Sequence, residues 1–337
     1  MSKLIVVFGG TGKQGGSVIN TFLKDPTWKI RTITRNVAKP QSKALQEKGV
    51  EVVQGDLNDV DSLIAAVQGA NVVFGVTDFW EPFFNPATQG KLSPGQLINE
   101  YCYELELQQG KNMANAVATI ADTTLDLFVW SNLSHVKKWS KGKYTWVYHF
   151  DSKAEIYEYV KTSLPQLAKK TSSVQIGYYA DNWIWIPLTA PQKVEDGVYE
   201  LKFSAKAETL VPWVDTQADT GKFVRALVQM SPGKDMLGVS EMVTYGDYLK
   251  IWGDLNGVST RFTYISAEEH EKLMPETFAK EIQESLAYNE EYGWDGGEPG
   301  VLRPSDVGIF FAMLKLEEPL SNIKDWIKAQ DWSSVIH

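Results

Sequence analysis

The chain has 337 residues, which corresponds to roughly one to three domains and is enough to bury a large core. It carries 33 Lys and Arg against 42 Asp and Glu, and its formal net charge of −9 argues against nucleic acid or anionic lipid as a partner. A single cysteine, Cys102, excludes an internal disulfide framework and a cysteine-rich zinc site. No apolar stretch reaches the ~18 residues of a membrane span. We therefore expect a soluble, cytoplasmic protein with no membrane partner.

Residues 1–130 alternate short β-branched runs with longer amphipathic stretches, the pattern of βαβ units that build a parallel sheet. The predicted strands are residues 4–8, 30–34, 51–54, 71–76, 125–130 and 174–178. The predicted helices between them are residues 14–23, 42–48, 59–67 and 97–121. This order of elements predicts an α/β fold.

The pattern changes after about residue 183. Residues 195–198 predict a turn between two short strands, and residues 206–216 look irregular because Pro212 interrupts them. Residues 276–298 hold seven acidic residues against one lysine, which we interpret as a solvated acidic helix running into a loop rather than as a metal site.

Several other chemistries find little support in the sequence. No metal site is expected, because the histidines are scattered at His135, His149, His270 and His337. A serine hydrolase is unsupported because no GxSxG elbow is present. Residues 137–146 combine lysines with aromatic side chains, and we interpret them as a solvated loop rather than a nucleic-acid contact.

The segment that follows the first predicted strand carries the strongest functional signal. Its glycines have GxxGxxG spacing, which differs from the GxGxxG fingerprint but shares its physics. Small residues permit a tight turn and a close approach of the backbone to a pyrophosphate, and the helix N-terminus supplies N–H donors. We predict a dinucleotide site here rather than an ordinary tight turn. The predicted contacts are Gly9, Thr11, Gly12, Lys13, Gln14 and Gly15.

The end of the second predicted strand indicates which nicotinamide dinucleotide is preferred. An acidic residue there would bind the ribose 2′-OH, whereas an arginine pairs with a 2′-phosphate. The chain has Arg35 at this point, and Lys13 and Lys39 add positive charge. We predict NADP(H), with a solvated Arg35 as the alternative. An acidic protein that binds these phosphates has to concentrate positive charge locally.

Two further strand ends carry candidate cofactor contacts. Asp56 either binds the adenine amino group, with Leu57 against the adenine ring, or caps the helix that follows. Thr77, after the fourth predicted strand, is expected to border the cofactor.

Seven segments together carry a resemblance to a known family: residues 9–16, 34–36, 55–57, 149–155, 178–183, 214–221 and 325–327. By these segments the chain resembles the NmrA-like family of the atypical short-chain dehydrogenase/reductases over nearly its whole length. The resemblance implies a Rossmann domain, that is, a doubly wound parallel sheet, with a smaller α+β C-terminal substrate domain over the cofactor cleft and NADP(H) as ligand. We expect the first domain at residues 1–182, with a later contribution from about 211–250, and the second mainly at 183–337.

Typical short-chain dehydrogenases place a Tyr and a Lys at i and i+4 on one helix, where the Lys holds the nicotinamide ribose and lowers the pKa of the Tyr phenol. Here Lys153 is present, but His149 stands four residues before it. Tyr148 is five residues before it, about 140° around an ideal helix. By resemblance Lys153 contacts the ribose, with a surface lysine as the alternative.

The role of His149 has three interpretations. It is a general acid, since imidazole carries protons near neutral pH, although a neighbouring lysine disfavours imidazolium. It binds substrate or cofactor without proton transfer, or it is a structural histidine. By the same resemblance, Ser131 bonds the substrate carbonyl or else satisfies backbone, and Asn182 faces the nicotinamide or the substrate.

Aromatic residues cluster in three loops that follow predicted strands. The carboxyl ends of the strands are where ligands bind in open α/β sheets, so these loops predict a pocket for an aromatic or hydrophobic substrate. The alternative is a loop core or a surface for a partner. The predicted lining residues are Phe79, Trp80, Trp183 and Trp185.

Two functions follow. The first is an NADPH-dependent reductase that transfers hydride to a C=O, C=N or C=C bond of such a substrate, with His149 or Tyr148 as the proton donor. The second is a non-catalytic NADP(H)-sensing transcriptional regulator that acts through a protein partner and also enters the nucleus. The glycine loop, Lys153 and the aromatic loops favour the enzyme, and the absence of Tyr at position 149 favours the sensor.

Overall fold

A computed structural model describes residues 2–303 and 319–336. The strands are β1 (Lys3–Val7), β2 (Trp28–Thr34), β3 (Glu51–Gln54), β4 (Val72–Gly75), β5 (Leu127–Asn132), β6 (Thr171–Ile176), β7 (Tyr178–Tyr179), β8 (Gln192–Glu195), β9 (Val198–Phe203), β10 (Leu210–Val214), β11 (Asp235–Gly238), β12 (Glu241–Thr244), β13 (Ser259–Tyr264) and β14 (Val301–Leu302). The α-helices are α1 (Lys13–Phe22), α2 (Pro40–Glu47), α3 (Val60–Val67), α4 (Trp80–Phe84), α5 (Ile98–Ala118), α6 (Val136–Trp139), α7 (Tyr148–Ser163), α8 (Pro165–Ala168), α9 (Thr216–Val228), α10 (Tyr245–Asn256), α11 (Ala267–Glu271), α12 (Glu276–Tyr292) and α13 (Ile323–Ala329). Short 3-10 helices cover Pro86–Lys91, Asn182–Ile184 and Pro187–Thr189.

Eight strands form one sheet in the order β14-β11-β6-β5-β4-β1-β2-β3. Every neighbouring pair in it is parallel. The chain builds outward from β1 to β2 and β3, then crosses back to β4 on the other side of β1. The gap between β1 and β4 is therefore the point at which the winding direction reverses, and ligands bind at the carboxyl ends of the strands there in folds of this kind.

The side chains of β1 pack alternately on the two faces of the sheet, because successive side chains of a strand point to opposite sides. Ile5 and Val7 pack with α1 and α9 in one fully buried cluster. Val6 packs with α3, α5 and α7 in the other. Burial on both faces explains why β1 reads as a continuous apolar run.

The remaining strands form two small sheets, ordered β12-β10-β7 and β13-β9-β8. They enclose a third apolar cluster that is rich in aromatic rings. The division of the chain into a cofactor domain and a substrate domain stays a prediction. The late strand β14 lies in the large sheet.

The predicted fold class is confirmed, and each strand and helix predicted in residues 1–130 is present with its bounds shifted by a few residues. The predicted hairpin at residues 195–198 is also present, as β8 and β9. Within the described residues, no helix is long and apolar enough to cross a membrane.

Two predictions in the later part of the chain need correction. The strand predicted at residues 174–178 is present as β6, which joins the large sheet beside β5, but it ends at Ile176. After Gly177 the chain enters β7, which belongs to a different sheet. Pro212 O lies so close that a Cβ at Gly177 would clash with it. The segment predicted to be irregular contains β10, and Pro212 is tolerated because β7 pairs only with the two residues after it.

We expect Gly221→Ala to lower the free energy of unfolding by about 1–3 kcal/mol, because the added methyl group overpacks the tight contact between α9 and α1. A Cβ at Gly221 would clash with Ser17 O, a backbone atom that cannot rotate away. Gly16→Ala is the matched control, since its Cβ would lie 3.6 Å from Gly10 O, an ordinary contact. Urea unfolding of both variants checks this, and equal stability losses would contradict it.

Candidate functional site

The glycine loop lies at the carboxyl end of β1, at the point where the winding reverses. Gly9 has a φ of +66°, a conformation that favours glycine. A Cβ at Gly15 would clash with Gly9 O, so the loop closes only around a residue without a side chain. The N-cap of α1, Gly12, makes no side-chain cap hydrogen bond, and the first turn contains no acidic residue. The positive end of this helix is thus suited to hold an anion such as a pyrophosphate.

Thr77 also fits a ligand at this edge of the sheet. It follows β4, is 6 % exposed, and its Oγ1 has no hydrogen-bond partner among the described residues. A buried hydroxyl without a partner carries a free-energy cost that a bound polar group would remove.

Asp56, which follows β3, was expected either to bind adenine or to cap the next helix, and its hydrogen bonds test the second interpretation. Its Oδ1 accepts the backbone and side-chain N–H of Asn58, both at 2.9 Å. The cap of α3 is Asp59, which accepts the Ser62 N–H. The interpretation of Asp56 as the helix cap was therefore wrong, and its contact with adenine stays a prediction, as does that of the half-buried Leu57.

The two cations predicted to bind phosphates each lie beside a carboxylate. Lys13 Nζ is 2.7 Å from Asp181 Oδ2. Arg35 is 3.8 Å from Glu81 and its side chain is 67 % exposed. The expected local excess of positive charge is thus offset at both cations. A long contact between exposed groups contributes little, so the Arg35 guanidinium stays available to a phosphate.

Gln14 connects the glycine loop to two strands of different sheets, β5 and β7. Ser131 Oγ donates to Gln14 Oε1 at 2.7 Å, and Gln14 Nε2 donates to Tyr179 OH at 2.7 Å. Burial raises the pKa of Tyr179 to about 12, which keeps the phenol protonated. Ser131 lies inside β5 rather than after it and bonds a side chain, so its interpretation as a backbone-satisfying serine was wrong.

His149, on the first turn of α7, is held by a buried carboxylate from α12. Glu281 Oε1 accepts the His149 backbone N–H at 2.8 Å and lies 2.7 Å from His149 Nδ1. Its other oxygen accepts the Asn99 side-chain N–H at 2.5 Å. Glu281 is 0 % exposed. The prediction of a solvated acidic helix was therefore wrong at this position, because one face of α12 packs against the segment that precedes α7.

Lys153 forms a buried ion pair one turn further along α7. Its Nζ donates to Glu106 Oε1 at 2.6 Å and to His149 O at 3.3 Å. Ser152 Oγ also bonds Glu106. Lys153 is 8 % exposed, so the alternative of a surface lysine was wrong. Its contact with a ribose stays a prediction.

Tyr148 is the first residue of α7 and packs against the rings of Tyr103 and Trp146. Burial, followed by nearby carboxylates, raises the pKa of the Tyr148 phenol. A raised pKa is the opposite of what a lysine-activated tyrosine needs. Whether His149 or Tyr148 carries the proton stays a prediction.

Aromatic side chains surround His149 on the side of the loop after β4. The His149 ring centroid is 4.9 Å from that of Trp80 and 6.0 Å from that of Phe79, which is fully buried. Phe278 of α12 packs on Trp80 at 5.6 Å. We call this group the aromatic cluster; it comprises Phe79, Trp80, Phe83, Phe84, His149 and Phe278.

Trp183 and Trp185, the aromatic residues of the third predicted loop, lie in two different environments. Trp183 stacks on Trp332 at 4.3 Å in the cluster of the small sheets, apart from the aromatic cluster. Trp185 is 71 % exposed, and Lys13 Nζ lies 5.6 Å from the centre of its ring. Asn182 begins a 3-10 helix beside Asp181, and its contact with a ligand stays a prediction.

Sequence reasoning missed three residues of this site: Glu106, Glu281 and Phe278. A signal existed for Glu106, which falls four residues from Cys102 and from Gly110 on the buried face of α5. Glu281 and Phe278 gave no comparable signal, since their partners lie more than a hundred residues away in the chain.

Among residues 2–303 and 319–336, no group of at least three His, Cys, Asp or Glu side chains is placed to hold a metal ion. His337 lies outside the described residues.

A glycine loop between β1 and α1, at the reversal point of a parallel sheet, defines the class of Rossmann-fold proteins. Within this class the chain belongs to the NmrA-like family, whose sequence model matches residues 1–327.

Relatives and solved structures agree with this assignment. An NmrA-like family domain-containing protein of Dictyostelium discoideum is 26% identical over 302 residues, which cover 87% of this chain and 89% of that protein. An NmrA-like family domain-containing oxidoreductase of Aspergillus hancockii is 24% identical, covering 80% of this chain and 77% of that protein. The crystal structure of NmrA, a negative transcriptional regulator, in complex with NADP has a TM-score of 0.70 at 17% identity and covers 97% and 95% of the two chains.

We expect Glu106→Ala to lower the free energy of unfolding by about 3–5 kcal/mol, because it leaves the buried Lys153 ammonium without a carboxylate. Adding Lys153→Met to this variant is expected to recover most of the loss. Glu104→Ala, on the exposed side of the same helix, is the matched control and changes stability by less than about 0.5 kcal/mol. Chemical denaturation measures all three, and equal losses at positions 104 and 106 would contradict a buried ion pair.

Proposed function

We propose that this protein is an NADPH-dependent oxidoreductase that reduces a C=O, C=N or C=C bond of an aromatic or hydrophobic small molecule. The proposal depends on one observation: the aromatic cluster packs directly on His149 at the same edge of the sheet as the glycine loop. An apolar surface for a planar molecule, a proton-carrying ring and an anion-binding helix end thus meet at the carboxyl ends of adjacent strands.

The comparisons support the nicotinamide cofactor and favour an enzyme. The Aspergillus hancockii relative is an oxidoreductase by name, and the similar structure of NmrA contains NADP. The regulator finds less support, because aromatic side chains pack around His149 as expected for a site that binds an apolar small molecule.

In this proposal the cofactor lies along the carboxyl ends of the strands. The glycine loop and the first turn of α1 hold the pyrophosphate, and Arg35 pairs with the 2′-phosphate. Asp56 and Leu57 bind the adenine, while Thr77 supplies its unpaired hydroxyl near the middle of the dinucleotide. When bound, the nicotinamide supplies a hydride.

Lys153, Asn182, His149 and the aromatic cluster surround the nicotinamide end. Lys153 reaches a ribose only while it remains paired with Glu106, since both are buried. Asn182 faces the nicotinamide or the substrate from the loop after β7, and Trp80 and Phe79 exclude water on the substrate side. His149 holds the proton that the substrate receives.

We expect Arg35→Ser to weaken NADPH binding about tenfold and to leave NADH binding within about twofold, because only NADPH has the 2′-phosphate that the guanidinium pairs with. Fluorescence titration with both dinucleotides measures the change. NADH serves as the internal control for folding and for the rest of the site. A parallel loss of both affinities, or tighter binding of NADH by the wild type, would contradict the assignment of NADP(H).

We expect the purified protein to consume NADPH in the presence of at least one member of a panel of aromatic ketones, imines and enones. The absorbance of the reduced nicotinamide follows the reaction. Gly15→Ala is the negative control, because its Cβ would clash with Gly9 O and prevent the glycine loop from closing. It is expected to lose both NADPH binding and turnover. No consumption across the panel, together with cofactor-dependent capture of a protein partner, would instead support the regulator.

A further inference from the structure

The contact between α12 and α7 contains more than a helix cap requires. The N-cap of α7, Val147, makes no side-chain cap hydrogen bond, and Glu281 fills that role by accepting the His149 backbone N–H. The same oxygen, Oε1, also lies 2.7 Å from Nδ1 of the His149 ring. The bond to the imidazole adds nothing to the capping of α7.

Glu284, one turn further along α12, shows what a purely structural contact looks like here. Its Oε2 accepts the backbone N–H groups of Thr145 and Trp146 at 2.7 Å and 2.8 Å. Both donors are main-chain groups on the segment before α7. Glu281 and Glu284 therefore share an element and a type of backbone contact, and they differ in the bond to His149.

An ionised carboxylate accepts hydrogen bonds and donates none, so the Nδ1 atom bonded to it carries a hydrogen. In the neutral ring the lone pair then lies on Nε2. Nε2 makes no hydrogen bond to any residue in the described parts of the chain, and 13 % of the His149 side chain remains exposed. The ammonium group of Lys153, one turn along α7 from His149, is already paired with the carboxylate of Glu106.

We propose that Glu281 is a positioning residue that holds the hydrogen of His149 on Nδ1 and leaves Nε2 to exchange a proton with the substrate in the aromatic cluster. The inference rests on the proposed function and extends it to a residue of α12. Trp80, whose ring centroid is 4.9 Å from that of His149, also packs against the imidazole ring.

In the proton step, His149 passes from imidazolium to neutral imidazole. The imidazolium breaks its Nε2–H bond and gives the proton to the oxygen, nitrogen or carbon atom that receives the π electrons of the C=O, C=N or C=C bond. NADPH, when bound, would supply the hydride for the new C–H bond at the other atom and would itself become NADP⁺. The ring ends neutral, with its remaining hydrogen on Nδ1 toward Glu281, and takes a new proton from water at Nε2.

Nitrogen NMR of the imidazole rings tests the positioning role without any substrate. The chain has four histidines, and the His149→Gln spectrum assigns the resonances of His149 by their loss. We expect the neutral wild-type ring to carry its hydrogen on Nδ1, Glu281→Gln to shift it toward Nε2, and Glu284→Gln to leave it unchanged. A wild-type hydrogen on Nε2 would overturn the inference, even if Glu281→Gln does not fold.

Turnover of NADPH with an active substrate tests the catalytic consequence. We expect Glu281→Gln to lower kcat about 10- to 100-fold, in the range of general acid–base effects, with the affinity for NADPH within about twofold of wild type. Glu284→Gln is expected to keep kcat within about twofold. Equal kcat in the two variants would overturn the inference. If the wild type shows no turnover with any substrate, the proposed function and the proton-transfer role both fail, and the NMR result alone decides whether Glu281 fixes the ring.

Discussion

The parallel arrangement of the eight-stranded sheet is the constraint on which the site depends. Because every strand runs the same way, the segments after β1, β4 and β5 all emerge at one edge. The glycine loop, the aromatic residues after β4 and the start of α7 meet there although they are separated by more than a hundred residues. Gln14 ties this edge together through Ser131 and Tyr179.

Buried charge gives α7 its place in this arrangement. Glu106 comes from α5 and Glu281 from α12, and each meets a basic residue of α7. Burying a carboxylate is costly unless it is paired and fully hydrogen-bonded. Both carboxylates meet this condition, with Ser152 and Asn99 as additional donors. The ion pair of Lys153 and the hydrogen bonds of His149 thus hold α7 to two helices that are far apart in the sequence.

The sequence was most informative where local pattern determines structure. The βαβ order and the glycine loop depend on neighbouring residues, and both were predicted. The carboxylate partner of His149 depends on a contact across 132 residues, which no periodicity records. Trp183 shows a related limit: it follows a strand end as predicted, yet the break at Gly177 sends the chain into a second sheet, where Trp183 stacks on Trp332. The composition shows many aromatic residues. It does not show which of them join the aromatic cluster and which join the apolar cluster of the small sheets.

The order of strands in the large sheet also bears on synthesis. β6 is complete by Ile176, but its neighbour β11 begins only at Asp235, and the outermost strand β14 at Val301. While the chain emerges from the ribosome, β6 therefore remains an open strand edge for about 60 residues, a template for pairing with other chains. Parallel pairing over such distances in the chain is slow, so β6 stays open to pairing with other chains until β11 covers that edge.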